Sequence, residues 1–269
     1  MKNILIIGLG EIGSSILNLY NNNKEYKVFY SEKKEVTTAL KEVLRQRGVT
    51  DIKDVNDDIN ISVAHVCIRF SKSFKDVISS YIKKYTPDVT LIHSTIAIGT
   101  TTAIYNITLK PIVHTPVMGV HPNLTEGIKT FTKIVGPVTD VAGALAVEHL
   151  SSLYIKTKVY KSAEESEAAK LFSTSYYGTV IRFMQEVHDV CTTYNIDFDN
   201  VYSKTNDIYN EGYKKLGMDN VIRPVLKYMG KGTGGHCVYE NAVLLRDEHI
   251  VTPSLTNIIK GKKNIELSR

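Results

Sequence analysis

Residues 3–13, Asn-Ile-Leu-Ile-Ile-Gly-Leu-Gly-Glu-Ile-Gly, constrain the fold of this chain more than any other stretch. The short apolar run Ile4 to Ile7 reads as a parallel strand buried on both faces. Gly8, Gly10 and Gly13 follow as G-x-G-x-x-G and lead into the helical pattern Ile12, Ile16, Leu17, Leu19. In such a unit the first glycine permits a tight turn and the second lets a pyrophosphate approach the backbone. The third lets helix and strand pack closely. A second strand, Tyr26 to Tyr30, ends at Ser31-Glu32, and Glu32 stands 19 residues after Gly13. That is where a carboxylate accepts from a ribose 2′-hydroxyl. The expectation is a dinucleotide site built on Gly8, Gly10, Glu11, Ile12, Gly13 and Glu32. NAD is preferred over NADP because Glu32 would repel a 2′-phosphate, although Lys33 and Lys34 pull the other way.

Strand and helix patterns alternate through the first half. A helix is expected around 35–47, a strand near 61–68, a helix over 73–84 and strands at 89–93 and 111–114. A loop with Pro116 and Pro122 follows, then a strand at 133–135, a helix over 141–153 and a strand over 154–159. Alternation of this kind predicts an α/β fold with a doubly wound parallel sheet. Composition changes near residue 161. From Ser162 to Tyr194 there is no proline and one glycine, with apolar residues at Leu171, Val180, Ile181, Met184, Val187 and Cys191. One long amphipathic helix is expected there, capped by Ser162 with Glu165 three residues on. Asp197 reads as the cap of the next helix. The chain thus divides into a Rossmann domain over 1–160 and a mostly α-helical domain over 161–269.

The charge balance is mixed, with a net +5 over 269 residues, and no basic stripe with interleaved aromatics points to nucleic acid. No apolar run approaches the ~18 residues of a membrane span, and the N-terminus enters a strand at once. Cys67, Cys191 and Cys237 are far apart, with neither a disulfide framework nor a metal-ligand spacing. The expectation is a soluble cytoplasmic protein without a metal.

A second motif lies at the other end. Gly230-Lys231-Gly232-Thr233-Gly234-Gly235-His236-Cys237 sets a cysteine in a glycine-rich turn, ahead of a helical run over 240–246. A helix N-terminus favours thiolate over thiol, which makes Cys237 a candidate nucleophile. The plainer alternative is a surface loop ending in an inert, buried cysteine.

Several stretches together resemble the UDP-glucose/GDP-mannose dehydrogenase family, the nucleotide-sugar dehydrogenases that oxidise a C6 alcohol to a carboxylate. They are Val66-Cys67-Ile68 at a sheet edge, Ser94-Thr95-Ile96-Ala97-Ile98-Gly99-Thr100-Thr101, Glu167-Ala168-Ala169-Lys170-Leu171 and Gly234-Gly235-His236-Cys237. The histidine at 236 is typical of the UDP-N-acetylmannosamine dehydrogenase branch. The resemblance implies that Ile68 and Thr95 border the cofactor and that Thr95 holds a water or the reacting hydroxyl. It also implies that Cys237 captures an aldehyde and that Lys170 stabilises oxyanion charge. Because the family dimerises through its long helix, a homodimer is implied.

The chain departs from the family at several positions. The aspartate four residues after the cysteine is Asn241, which cannot act as a base near neutral pH. The asparagine four residues after the lysine is Thr174. The Pro-Glu pair is Pro116-Val117, and His114 and His121 lie nearby as stand-ins or as plain loop histidines. The family's C-terminal nucleotide-binding domain has no counterpart, since Asp247 to Arg269 is too short to form one. Either the substrate is smaller than a nucleotide sugar or a separate chain supplies that surface. The shortened architecture also resembles the β-hydroxyacid and 6-phosphogluconate dehydrogenases, which use a helix lysine and need no cysteine. Three readings stay open: a two-step dehydrogenase through Cys237, a two-electron dehydrogenase through Lys170, and a cofactor-binding protein with little catalysis.

Overall fold

The computed structural model describes residues 1–55, 59–119, 123–230, 232, 236–247 and 252–266, and the chain falls into two compact units, Met1–Lys170 and Leu171–Arg269. The boundary lies inside the long helix, ten residues beyond the compositional change.

The first unit is an eight-stranded sheet flanked by helices. Its elements run β1 (Lys2–Ile7), α1 (Glu11–Asn18), β2 (Tyr26–Ser31), α2 (Thr38–Gln46), β3 (Thr50–Asp51), β4 (Val63–Val66), α3 (Phe74–Tyr85) and β5 (Val89–Ile92). Then follow α4 (Thr100–Thr108), β6 (Ile112–His114), α5 (Leu124–Thr130), β7 (Lys133–Pro137), α6 (Asp140–Ser152) and β8 (Thr157–Val159). The strand order is β3-β2-β1-β4-β5-β6-β7-β8. Residues alternate between two cores. Ile4 and Ile6 pack with Ile16, Leu17, Ala146 and Leu150 on one face, and Leu5 and Ile7 pack with Phe74, Ile78 and Ile104 on the other. A strand whose neighbours bury both faces reads as an unbroken apolar run, which is why β1 was legible without alternation.

Four features depart from the expectation. β7 runs antiparallel to β6, so the sheet is mostly rather than wholly parallel. A buried strand has the same composition in either direction, and only its connection decides which way it runs. The helices α4 and α5 and the two-residue β3 also went unpredicted. α4 is rich in threonine, and α5 is only seven residues long, too short to show a period.

In the second unit the long helix α7 (Ala163–Tyr194) leads to a π-helical turn at Asp199–Lys204, then α8 (Thr205–Lys215), α9 (His236–Asp247) and α10 (Pro253–Glu266). Ser162 Oγ accepts from Glu165 N at 3.3 Å and so caps the helix, while the Glu165 carboxylate accepts from Lys161 N at 2.8 Å, one residue before the amide that a capping box uses. Asp197 caps the turn that follows, accepting from Asn200 N. Ile181, Met184 and Tyr202 form a core with Val187, Phe198, Leu226 and Tyr228. A Cβ at Gly178 would lie 2.5 Å from Val238 Cγ1 and 3.1 Å from Ile258 Cδ1, so the missing side chain is what lets α9 and α10 close onto α7.

Candidate active site

The carboxyl ends of β1, β2, β4 and β5 assemble the candidate site of the first unit. The chain leaves β1 toward β2 on one side and resumes at β4 on the other. This reversal opens a crevice at the strand ends, where open α/β sheets bind ligands. Gly8 takes φ +93°, and a Cβ there would lie 2.8 Å from Ile68 Cγ2. A Cβ on Gly13 would sit 1.8 Å from the Gly8 carbonyl oxygen, so α1 can approach β1 only with glycine there. Gly10 differs. It caps α1, no atom lies within 4 Å of where its Cβ would be, and no side chain caps the helix. The N–H groups of the first turn of α1 are therefore open to an anion.

Glu32 Oε2 accepts from Leu9 N at 2.8 Å and Oε1 from Lys34 N at 3.1 Å. Burial opposes its charge, but the N–H groups of Leu9, Lys34 and Lys33 outweigh that and lower its pKa. Glu11 is exposed in the first turn of α1, while Ile12 packs partly against the core. Ile68 follows β4, half-buried, and its carbonyl accepts from Ser94 Oγ at 2.6 Å. Thr95 follows β5 and is half-buried. All eight residues expected at a cofactor belong to this unit.

Lys170, at the end of the same unit, donates from Nζ to the Val117 carbonyl at 2.9 Å. Position 117, where the resembling family has a carboxylate, therefore contributes its backbone to the lysine. Glu167, one turn earlier on α7, is fully buried. Its carboxylate accepts from Gly99 N (2.6 Å), Thr101 N (2.9 Å) and Thr101 Oγ1 (2.6 Å) at the start of α4. Burial pushes this carboxyl up to about 7, against the pull of those three donors.

His114 does not replace the missing acid. It is buried, its Nε2 donates to the Ser94 carbonyl at 3.2 Å, and its Nδ1 lies 2.8 Å from Ser166 Oγ. Burial holds its pKa down at about 3, so it stays neutral. His121 lies outside the described residues.

A buried chain of rings runs through the same core. His149 Nε2 and His65 Nε2 meet Tyr20 Oη at 2.7 and 2.5 Å; His65 Nδ1 meets His93 Nε2 at 2.8 Å; and His93 Nδ1 meets the Thr115 carbonyl at 2.9 Å. A carbonyl only accepts, so His93 donates from Nδ1 and accepts at Nε2. His65 then donates from Nδ1, Tyr20 donates to His65, and His149 donates to Tyr20. One carbonyl sets the tautomer of three histidines.

In the second unit, α9 begins at His236, so Cys237 lies in the first helical turn rather than in the loop ahead of it. Its thiol is free and half-buried. Gly234 and Gly235, with Lys231 and Thr233, lie outside the described residues. Asn241, 7% exposed, donates from Nδ2 to Thr174 Oγ1 at 3.1 Å. Buried Gln185 donates to the carbonyls of Gly230 (3.0 Å) and Gly232, and Arg182 donates to Gln185 Oε1 at 2.6 Å. Sequence reasoning missed this brace, together with Glu167 and the ring chain. One signal was available: Gln185 follows Met184 on the apolar side of a helix, where a polar residue calls for a partner. Among the described residues no His, Cys, Asp or Glu cluster could hold a metal, and no helix is long and apolar enough to cross a membrane.

No family model matches the sequence, and no curated protein matches it. Solved structures do match its fold. The UDP-D-ManNAc dehydrogenase of Pyrococcus horikoshii aligns with a TM-score of 0.74 at 17% identity, covering 97% of this chain and 68% of that one. The conserved protein MTH1747, of unknown function and described as similar to 3-hydroxyacid dehydrogenases, aligns with a TM-score of 0.71 at 15% identity, covering 98% and 96%. The 3-hydroxyisobutyrate dehydrogenase of Mycobacterium tuberculosis aligns with a TM-score of 0.65 at 12% identity, covering 97% and 92%. At such identities the likeness is one of fold.

Proposed function

We propose that this chain is an NAD-dependent dehydrogenase acting on a CH–OH group. The glycine cradle carries the reading. Gly8 and Gly13 admit no side chain, Gly10 leaves open space at an uncapped helix start, and Glu32 stands at the end of the adjacent strand. These residues fit a dinucleotide: the Gly10 turn and the first N–H groups of α1 for the pyrophosphate, and Glu32 for a ribose hydroxyl. When bound, NAD supplies the hydride acceptor. The dehydrogenase names borne by the structural neighbours agree with this chemistry.

The finer reading follows the nucleotide-sugar dehydrogenases. Lys170, anchored on the Val117 carbonyl, would steady charge on the substrate oxygen. The Cys237 thiolate would form a C–S bond to the aldehyde carbon. A second two-electron oxidation would leave a thioester, which water cleaves to release the acid and the thiol. Self-association through α7 belongs to the same reading, since Phe172, Tyr176 and Phe183 are exposed along it.

A specific observation favours a simpler second reading. The Asn241 amide is engaged with Thr174, so no carboxylate at 241 helps Cys237. In that reading Lys170 is the acid/base of a single oxidation and Cys237 is a bystander. The test is NADH formation across UDP- and GDP-sugars, free sugars and 3-hydroxyacids. Two NADH per nucleotide sugar, lost in Cys237→Ser, supports the first reading. One NADH, kept in Cys237→Ser and lost in Lys170→Met, supports the second. NAD binding without turnover on any of them overturns the assignment as a dehydrogenase.

A further inference from the structure

Three consecutive carbonyls, those of Thr115, Pro116 and Val117, each accept from a side-chain nitrogen: His93 Nδ1 at 2.9 Å, Lys133 Nζ at 3.0 Å and Lys170 Nζ at 2.9 Å. Lys133 has no part in the chemistry above. It opens β7, is 3% exposed, and among the described residues its side chain bonds only to Pro116 O, with no carboxylate paired to it. An ammonium carries three donors, and burying one with a single acceptor and no counter-charge is costly. The cost is placed beside a residue to which it matters. Lys133 and Lys170 hang from neighbouring peptide units, whose Cα atoms are ~3.8 Å apart.

We propose that Lys133 is a positioning residue for Lys170, the two forming a coupled amine pair that cannot hold both protons as readily as separate lysines would. The pair thereby presents a neutral amine to the substrate hydroxyl. This rests on the reading that Lys170 handles the proton of the oxidised alcohol. The groups facing Lys133 are consistent with it. They are His65 on β4, Cys67 after it, His93 after β5, His114 on β6 and Lys170 on α7. The three histidines are held neutral, and the Cys67 thiol is held protonated by burial. Burial lowers Lys133 to about 7; Cys67 pulls it back up, and the charge of Lys170 adds a smaller push downward. His114 is depressed by both ammonium groups, which places both within electrostatic reach of one ring.

The test is Lys133→Met, which keeps the volume and removes the charge, so the protein should fold at least as stably. Two readings are taken on the full chain. Lysine labelled with 13C at Cε, with the Lys170 signal assigned by its loss in Lys170→Arg, reports the titration of Lys170 whether or not any substrate turns over. On an active substrate, the pH dependence of kcat/KM reports the same group in action. The expected result is a Lys170 titration moved up by about one pH unit, with the acid limb of kcat/KM moving with it. A Lys170 signal that titrates identically in both proteins overturns the pair. Activity absent from every substrate overturns the functional reading instead, and the NMR result still decides the coupling.

Discussion

Asn241 and Thr174 are joined by a hydrogen bond of 3.1 Å from the amide Nδ2 to the hydroxyl. The two residues replace an aspartate and an asparagine of the family that the sequence resembles, and the bond couples both changes. Asn241 stands one turn beyond Cys237 on α9, so the pair shares a helix face. Asn241→Asp would accept from the Thr174 hydroxyl and supply a base on that face. The expected outcome is a gain of about 100-fold in the rate of acid formation from an aldehyde substrate. NADH stoichiometry checks it. An unchanged rate would leave Cys237 without a part in the chemistry.

The glycines of the first turn should separate stability from binding. Gly13→Ala drives a Cβ into the Gly8 carbonyl, 1.8 Å away, and should destabilise the first unit by about 3 kcal/mol or more. Gly10→Ala meets no protein atom and keeps an ordinary φ of −64°. It should leave the melting temperature unchanged while weakening NAD binding about tenfold or more, because the methyl occupies the ligand's approach. Thermal melts and cofactor titration of the two variants distinguish the roles.

Stability should fall as the solution is acidified. His65, His93, His114 and His149 are held neutral by burial first and then by neighbouring charges, with His114 brought to about 3 and His149 to about 4. The unfolded chain takes up protons at these histidines near pH 6.5, so below that pH it binds more protons than the native state. Their contribution is therefore complete above about 6.5 and is lost as pH falls, at roughly 1.4 kcal/mol per pH unit for each histidine. Urea midpoints at pH 7, 6 and 5 measure this. A midpoint that does not move would contradict neutral burial.

Tyr20→Phe tests the ring chain directly. It strands the Nε2 atoms of His65 and His149, whose partner among the described residues is the Tyr20 hydroxyl, at a cost of about 2–3 kcal/mol. Phenylalanine keeps the ring packing, so a loss well below 1 kcal/mol would mean that water or repacking satisfies both nitrogens.

Glu167→Ala should cost about 3 kcal/mol, since it orphans Gly99 N, Thr101 N and Thr101 Oγ1 at the start of α4. Glu167→Gln keeps one acceptor and should recover part of that loss. Denaturant unfolding of the two variants gives the ranking.

What could be read in advance was whatever is written locally. The run Ile4 to Ile7, the spacing of Gly8, Gly10 and Gly13, the place of Glu32 and the 32-residue span of α7 are short-range patterns, and each appears where its pattern put it. Backbone sterics and period make such patterns legible. α4 and α5 were missed because a threonine-rich turn and seven residues carry little of either.

The amino-acid sequence by itself determined a β-α-β start with a glycine turn, an α/β sheet and a long capped helix. Tertiary structure alone decided the rest. It turned β7 antiparallel, carried Glu167 onto the start of α4, tied Asn241 to Thr174, and placed Lys133 and Lys170 on neighbouring carbonyls. Every one of these joins residues far apart in the chain, and a hydrogen bond or a charge repulsion depends on distance through space. Nothing in the local pattern around Lys133 distinguishes a solvated surface lysine from a buried one. The core that closes over it makes that distinction.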